Sequence, residues 1–425
     1  MTLNLTLRNS LYFNSVIAIC WWIIFHPGFY SPDSLYYVEI AKGLKDSSTT
    51  GVVFQGYLKL LSLNGNFVSL ITLSNVLILT YSVTRLAFVI SSPRIAFVSS
   101  ALLVSSPLVG AIGITLWQDV PFAAGLLLLT TFFVIKLGSQ ENNPAIFISL
   151  FVPGIVLSSV RPNGLFTILL FLAFMLSIRV KNLFTTLMGT LIGVALLTLA
   201  PPLLLNKDLV NSAYAQEWMR YDISCFASTE RGQGFVERVL PEIGTTQEWE
   251  SKEACTWFSS ADLQNAKIAK SVQYLPSAWL KLVMEEPLFV LKVHLQRNSY
   301  LFPIPINGIP NPPFIHTEID ANTLELKWTF QGFAERARLM PRVWNLFNSI
   351  FAWSGLWLLF IFFVLLKGKK DIIAPVFCMS FAVTLVLILV APIPDARYAL
   401  SVLVSGQLLV ITKAVNYFRK AEEIR

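Results

Sequence analysis

Between Val120 and Ile135 the chain reads VPFAAGLLLLTTFFVI, sixteen residues without a charge. Nine more runs of this character occur, near residues 11–25, 66–90, 95–115, 145–160, 164–178, 183–205, 344–366, 372–391 and 398–415. A backbone surrounded by hydrocarbon must satisfy its own hydrogen bonds, so such runs fold as helices, and a chain carrying ten of them reads as an all-α polytopic membrane protein. Several runs are shorter than the roughly 20 residues that cross about 30 Å of hydrocarbon. The turn residues Trp117-Gln118-Asp119 and Arg161-Pro162-Asn163 are what separate them, and merging into fewer, longer helices is the alternative. With 55% hydrophobic and 13% charged residues and a mean hydropathy of +0.63, an ordinary soluble core is excluded.

A net charge of +7 raises the question of nucleic acid, but the lysines and arginines flank the apolar runs and form no basic arm or patch, so no nucleic acid partner is expected. They report topology instead. No small-residue cleavage site precedes Leu11, so the first run reads as a retained span or signal anchor. With the N-terminus inside, the cytoplasmic turns hold Arg8, Arg94, Lys136, Arg179 with Lys181, the Lys367/Lys369/Lys370 cluster, and Lys413 with Arg419 and Lys420. The same alternation sends Asp119, Arg161 and the segment Pro392 to Arg397 to the extracytoplasmic face, and leaves both termini cytoplasmic. Three parts follow: an N-terminal transmembrane module, 1–205, of about seven spans with a first external loop at 26–65; an extracytoplasmic segment, 206–343; and a C-terminal module, 344–425, of about three spans.

The segment 206–343 is rich in charge, tryptophan and proline and holds Cys225 and Cys255, two of the four cysteines. On an oxidising face they can close a loop; the rival reading is two reduced, buried thiols. Between Pro276 and Pro303, Trp279, Leu280, Val283, Leu288 and Leu291 alternate with Lys281, Lys292, His294 and Arg297. That pattern fits helices lying along the membrane surface, and equally helices packed against their own domain.

The stretch FHPGFYSPDSLYY places Asp33 and His26 where the chain leaves the first span. Ser31 or Asp33 can cap a helix starting near Ser34, which alone would explain the acid. Its company argues for more: Asp119 opens the fourth span, Arg161 the sixth, and Asp395 with Arg397 precedes the last. Ionisable groups at span ends are costly unless they face a pocket or one another. His294 and His316 are too isolated for a metal cluster, and Tyr36, Tyr37 and Tyr398 read either as interfacial aromatics or as sugar-stacking rings. No dinucleotide fingerprint, Walker motif or Cys-x-x-Cys pair appears.

Four stretches, SPDSLYYVEIAKGL, LWQDVPF, SSVRPNGLF and PIPDARYAL, together resemble a bacterial branch of the GT-C superfamily of multi-span glycosyltransferases that use lipid-linked sugars. The likeness spans nearly the whole chain by topology and these four stretches by motif. It implies a GT-C-like bundle of about ten transmembrane helices with an extracytoplasmic helical segment and active site. It further implies a sugar donor carried on polyprenyl phosphate or pyrophosphate, and a glycan, lipid or protein acceptor. On this resemblance Asp33 takes the place of the first-loop acid, a general base or acceptor ligand, and Asp119 that of the second acid, an acceptor or metal ligand. Many relatives have an adjacent acid or a lysine where this chain has Gln118, which leaves a divalent metal an open question.

The chemistry asks for these residue types. An attacking hydroxyl must lose its proton, which a carboxylate can take, and the departing lipid phosphate gains charge that arginine forks can hold. Arg161 and Arg397 are the candidates for the phosphate, with Asn163, Asp395, Tyr398 and His26 as further substrate-binding residues. Arg161, ending a run that rises only about 24 Å, sits below the outer surface, or snorkels to it. Inversion needs no covalent enzyme intermediate. A transporter or flippase of lipid-linked sugars remains the alternative, although no repeated halves are evident; so does a non-catalytic envelope-assembly scaffold, which would tolerate neutralised acids.

Overall fold

The computed structural model describes residues 5–44, 51–139, 143–177, 184–204, 217–239, 255, 274–298, 301–302, 353–367, 370–391 and 396–424. Wherever it is described, every apolar run is helical apart from its ends and the break at Ser106. The helices are α1 (Leu7–Ile24), α2 (Pro32–Ala41), α3 (Val52–Leu61), α4 (Ser69–Ile90), α5 (Pro93–Ser105), α6 (Pro107–Gly113), α7 (Asp119–Ser139), α8 (Pro144–Ser158), α9 (Gly164–Ser177) and α10 (Phe184–Leu204). After them come α11 (Glu217–Ala227), α12 (Phe235–Val239), α13 (Leu275–Glu285), α14 (Pro287–Arg297), α15 (Ser354–Lys367), α16 (Lys370–Val390) and α17 (Leu400–Ile424), the last entered through a 3-10 turn at Ala396–Ala399. Among the described residues there is no β-strand, and one isolated bridge pairs Phe29 with Thr115.

This is an all-α polytopic membrane protein. Four helices are long and apolar enough to cross a bilayer: Ser69–Ile90, Asp119–Gly138, Ile372–Leu389 and Arg397–Arg419. The run at 95–115 is not one straight helix: α5 and α6 meet at a bend of 56°. Pro107 has no N–H to continue the ladder and forces Ser106 into an extended conformation, φ −74° and ψ 151°. Pro144–Ser158, Gly164–Ser177, Phe184–Leu199 and Ser354–Lys367 are apolar but shorter, and α8 contains a π-helical turn at Phe147–Phe151.

Helix α7 is the most enclosed of the long helices, with 83% of its apolar window buried, and it packs on α4, α8, α16 and α17. That places its first residue, Asp119, at the centre of one end of the bundle. Buried polar side chains join neighbouring helices: Asn14 on α1 donates to Thr84 Oγ1 on α4 and Ser100 Oγ on α5, both at 2.9 Å. With no water in the hydrocarbon to compete, such a knot fixes how these helices sit on each other.

In the described part of 206–343, α11 packs through Ile223, Phe226 and Ala227 against Leu275, Ala278 and Leu282 of α13. Cys225 and Cys255 are joined by a disulfide. Asp222, fully buried, accepts from Trp279 Nε1 at 2.8 Å and Arg297 Nη2 at 3.0 Å and pairs with His294 Nε2 at 2.6 Å. His294 Nδ1 lies 2.8 Å from the carbonyl of Ile388, near the end of α16, and so ties this segment to a membrane-spanning helix. The opposite faces of α13 and α14 leave Leu280, Met284, Leu288 and Leu291 exposed. The amphipathic pattern thus has a packed face and an open apolar one.

Candidate active site

Asp33 and Asp119 are 86 positions apart, and the chain stitches them together through backbone bonds. After α1 the chain turns at Gly28, whose φ of +109° and proximity to Ile114 exclude a side chain: a Cβ there would lie 2.5 Å from the Ile114 oxygen. The close approach lets the Phe29 N–H donate to Ile114 O at 3.0 Å and the Leu116 N–H donate to Phe29 O at 2.9 Å. Ser34 Oγ donates to Leu116 O at 2.8 Å and accepts from the Ser31 N–H at 2.9 Å, while Trp117 Nε1 donates to Ser31 Oγ at 2.8 Å. The first loop and the turn before α7 are therefore one unit.

Helix α2 begins at Pro32, two residues earlier than the sequence indicated, with Ser31 as its N-cap. Proline suits the first helical position because its missing N–H would have no partner there. Asp33 is consequently not the cap but lies in the first turn, and its carboxylate goes elsewhere: Arg397 Nη2 is 2.8 Å from Asp33 Oδ2. The same guanidinium places Nε 3.9 Å from Asp119 Oδ2, and Arg161 Nη1 pairs with Asp119 Oδ1. Two acids and two arginines, delivered by α2, α7, the turn after α8 and the turn before α17, form one chain of ion pairs.

Aromatic rings hold the guanidiniums flat. Arg161 lies over Tyr398 at 4.6 Å and Phe122 at 5.8 Å; Arg397 lies over Trp117 at 4.8 Å and Tyr398 at 5.3 Å. A cation on a ring face gains more when desolvated, as these are. Side-chain exposure falls from 30% at Asp33 to 12% at Arg161, 10% at Arg397 and 4% at Asp119. Asp33 is the more accessible acid of the cluster and Asp119 the more buried one. Tyr37, buried on α2, is held well above the usual phenol range by its burial first, then by Asp33 and Asp119, with Arg397 and Arg161 pulling the other way. It is a neutral phenol beside all four charges.

The Arg-Pro-Asn-Gly turn is shaped by its glycine: a Cβ on Gly164 would meet Ser158 O at 2.0 Å. Asn163 O accepts from the N–H and hydroxyl of Thr167, each at 3.0 Å, to start α9. Three polar atoms around the cluster, Arg161 Nε, Asn163 Oδ1 and Gln118 Oε1, are buried with no hydrogen-bond partner among the described residues. Buried polar groups are almost always satisfied, so one donor and two acceptors left over at one place call for a further partner, which bound water can supply as well as a ligand.

Asp395 lies outside the described residues, as does His316. His26 is fully buried and edge-on to Trp22 at 4.7 Å; burial takes its imidazole from 6.5 down to about 4, so it is neutral at ordinary pH. Tyr36 is half-buried, 6.3 Å from Tyr37. Among the described residues no group of three or more His, Cys, Asp or Glu side chains is placed to hold a metal. At Asp119 the fit is poor for a positive reason: guanidiniums face both of its oxygens, where a divalent cation would need open lone pairs. Trp117 and Tyr37 belong to the cluster: Tyr37 reads from the sequence as an interfacial or sugar-stacking aromatic, and Trp117 only as a turn residue two positions before an acid.

No protein-family model matches the chain, and no curated protein matches it. Among solved structures it is similar to the archaeal oligosaccharyltransferase AglB from Archaeoglobus fulgidus, in complex with an inhibitory peptide and a dolichol-phosphate, with a TM-score of 0.47 and 13% identity over 99% of this chain and 52% of that one. The chain spans about half the length of that protein, and a likeness so distant carries nothing about chemistry.

Proposed function

We propose that this chain is a glycosyltransferase that moves a sugar from a polyprenyl-phosphate-linked donor to a glycan, lipid or protein acceptor, with inversion, at the extracytoplasmic face of a bacterial plasma membrane. The observation that carries the reading is the cluster itself: two carboxylates and two ring-backed arginines gathered at one end of a membrane bundle, with unsatisfied polar atoms around them. Charged groups at such depth are expensive and mark function.

In this reading the donor's phosphate oxygens compete with the carboxylates for Arg161 and Arg397, whose planar forks suit phosphate. Drawing Arg397 from Asp33 leaves the most exposed carboxylate of the cluster open to an acceptor hydroxyl. Asp33 takes the hydroxyl proton as the acceptor oxygen bonds to the anomeric carbon from the face opposite the phosphate. The bond from that carbon to the phosphate oxygen breaks, and the electron pair leaves with the lipid phosphate, whose added charge the two guanidiniums hold. Asp119, paired beneath, keeps Arg161 and Arg397 in place.

The test is Asp33→Asn, which keeps shape and hydrogen bonding and removes the base. Native protein and variant are compared in proteoliposomes for sugar transfer from a labelled polyprenyl-phosphate donor, with donor binding measured separately. A folded, donor-binding protein slowed about a hundredfold to ten-thousandfold is expected. Turnover within a few-fold of native would remove Asp33 from the chemistry.

A further inference from the structure

The knot around Asp222 contains a histidine whose partners fix its protons. His294 on α14 is buried, with Nε2 2.6 Å from Asp222 Oδ2 and Nδ1 2.8 Å from the carbonyl oxygen of Ile388. A carbonyl oxygen only accepts. Asp222 accepts as well: Trp279 Nε1 donates to the same Oδ2 and Arg297 Nη2 donates to Oδ1, which is the setting of an ionised carboxylate. A neutral imidazole has one N–H and would turn a lone pair toward one of the two oxygens. Two acceptors at hydrogen-bond distance call for two N–H groups.

The Ile388 oxygen has its own reason to need a donor. Inside a helix it would accept from the N–H four residues on, but that residue is Pro392, which has none. The Ala391 N–H is already given to Leu387 O at 2.9 Å. Ile388 lies two residues before the end of α16, where the helix dipole is negative and a cationic ring is favoured over a neutral one. His294 therefore caps α16 from a distant part of the chain. Nine residues beyond Ile388 comes Arg397, which reaches Asp33.

The surrounding charges are few. On α11, Asp222 faces the ring, Arg220 is also buried, and Trp218 offers a ring edge at 6.1 Å. Trp279 of α13 is neutral, α16 presents the Ile388 carbonyl, and α14 itself adds Arg297. Lys281, Glu285 and Lys292 are exposed. Asp222 and the helix end favour a second proton on His294, against the two buried arginines.

We propose that His294 carries both ring protons in the folded chain and acts as a positioning residue: as the C-cap of α16 it fixes the turn that brings Arg397 to Asp33, and losing one proton as pH rises releases that turn. The single proton then stays on the nitrogen facing the carboxylate, and the cap is what is given up. The clamp stands on this geometry alone; its effect on sugar transfer rests on the reading of the Asp33 site.

The experiment uses the full chain, labelled with nitrogen-15 histidine, in proteoliposomes. The sequence has three histidines, so His294 is assigned as the signal that His294→Gln removes. Both of its nitrogens should resonate as protonated, and one should convert as pH is raised. Hydrogen exchange then separates the two contacts. His294→Gln places an amide nitrogen near the position of Nε2 and keeps the bond to Asp222, whereas His294→Asn places one near Nδ1 and keeps the bond to Ile388. The stretch 388–399 should exchange about tenfold faster in His294→Gln with α11 unchanged, and His294→Asn should instead loosen α11. After correction for intrinsic rates, the native chain at alkaline pH should match His294→Gln.

One protonated and one bare nitrogen at every pH overturns the proposal. So does equal exchange of 388–399 in the native and Gln chains, or equal loosening of α11 and 388–399 in both variants, which is what a merely structural histidine would give. In a parallel measurement, binding of a polyprenyl-phosphate donor should fall in the native chain as pH rises and stay flat in His294→Gln. A chain with the doubly protonated ring and the expected exchange pattern, but no donor binding, upholds the clamp and overturns the reading of the Asp33 site.

Discussion

At the scale of single residues, the two acids of the cluster differ in what their removal should cost. Asp119 is nearly fully buried and answers two guanidiniums, whereas Asp33 stands 30% exposed and answers one. Asp119→Ala leaves Arg161 buried without its carboxylate, a loss of about 3 to 5 kcal/mol. Asp33→Ala gives up a partly solvated pair, worth about 1 kcal/mol or less. Denaturant or thermal unfolding in detergent should therefore rank Asp119→Ala well below Asp33→Ala in stability, while transfer assays should rank Asp33→Asn below Asp119→Asn in rate. Equal stability of the two alanine variants would mean that Asp119 is not the anchor. The meeting of these charges was legible in the sequence, because loop alternation puts Asp33, Asp119, Arg161 and Arg397 on one face and isolated charges there need each other. Which residue caps α2 was not, because Ser31 and Asp33 both suit the role and Pro32 settles the helix start. Tyr37 was legible only as one of two alternatives and Trp117 not as part of the cluster, since an aromatic beside a span looks the same whether it faces lipid or a guanidinium.

At the scale of elements, apolar runs predicted helices well, because hydrocarbon leaves the backbone no other way to bond. They could not predict the 56° bend between α5 and α6, since a Ser-Pro step inside an apolar run is compatible with both a kinked helix and a clean break. Nor did sequence reveal the knot of Asp222, His294, Trp279 and Arg297, whose members come from α11, α13 and α14 and carry no local motif. The disulfide from Cys225 to Cys255 closes a stretch of 30 residues beside that knot. Replacing both cysteines by serine should lower the stability of this helical segment by about 3 kcal/mol on the loop-entropy estimate. Hydrogen exchange on α11 and α14 is the appropriate measurement: faster exchange there, with α4 and α7 unchanged, is expected, and unchanged protection of α11 would assign its stability to the Asp222 knot.

At the scale of the whole molecule, pH acts on a fold that buries a neutral imidazole. His26 titrates near 4 when folded and near 6.5 when unfolded, so between those values the unfolded chain binds more protons. The contribution is complete above pH 6.5 and is lost as pH falls toward 4. Melting temperature in detergent should drop between about pH 7.5 and about pH 5, and His26→Gln should flatten that slope; an equally steep slope in the variant would give the effect to other groups. The ion pair between Asp33 and Arg397 has a different consequence, one of timing. Asp33 precedes Arg397 by 364 residues, and at ordinary rates of synthesis the ribosome needs on the order of a minute to pass from one to the other. Throughout that interval Asp33 must remain in contact with water, because its cation does not yet exist. A chain halted before Arg397 carries both acids but lacks the closed cluster, and with it any transfer that depends on Asp33 and Arg397 acting together.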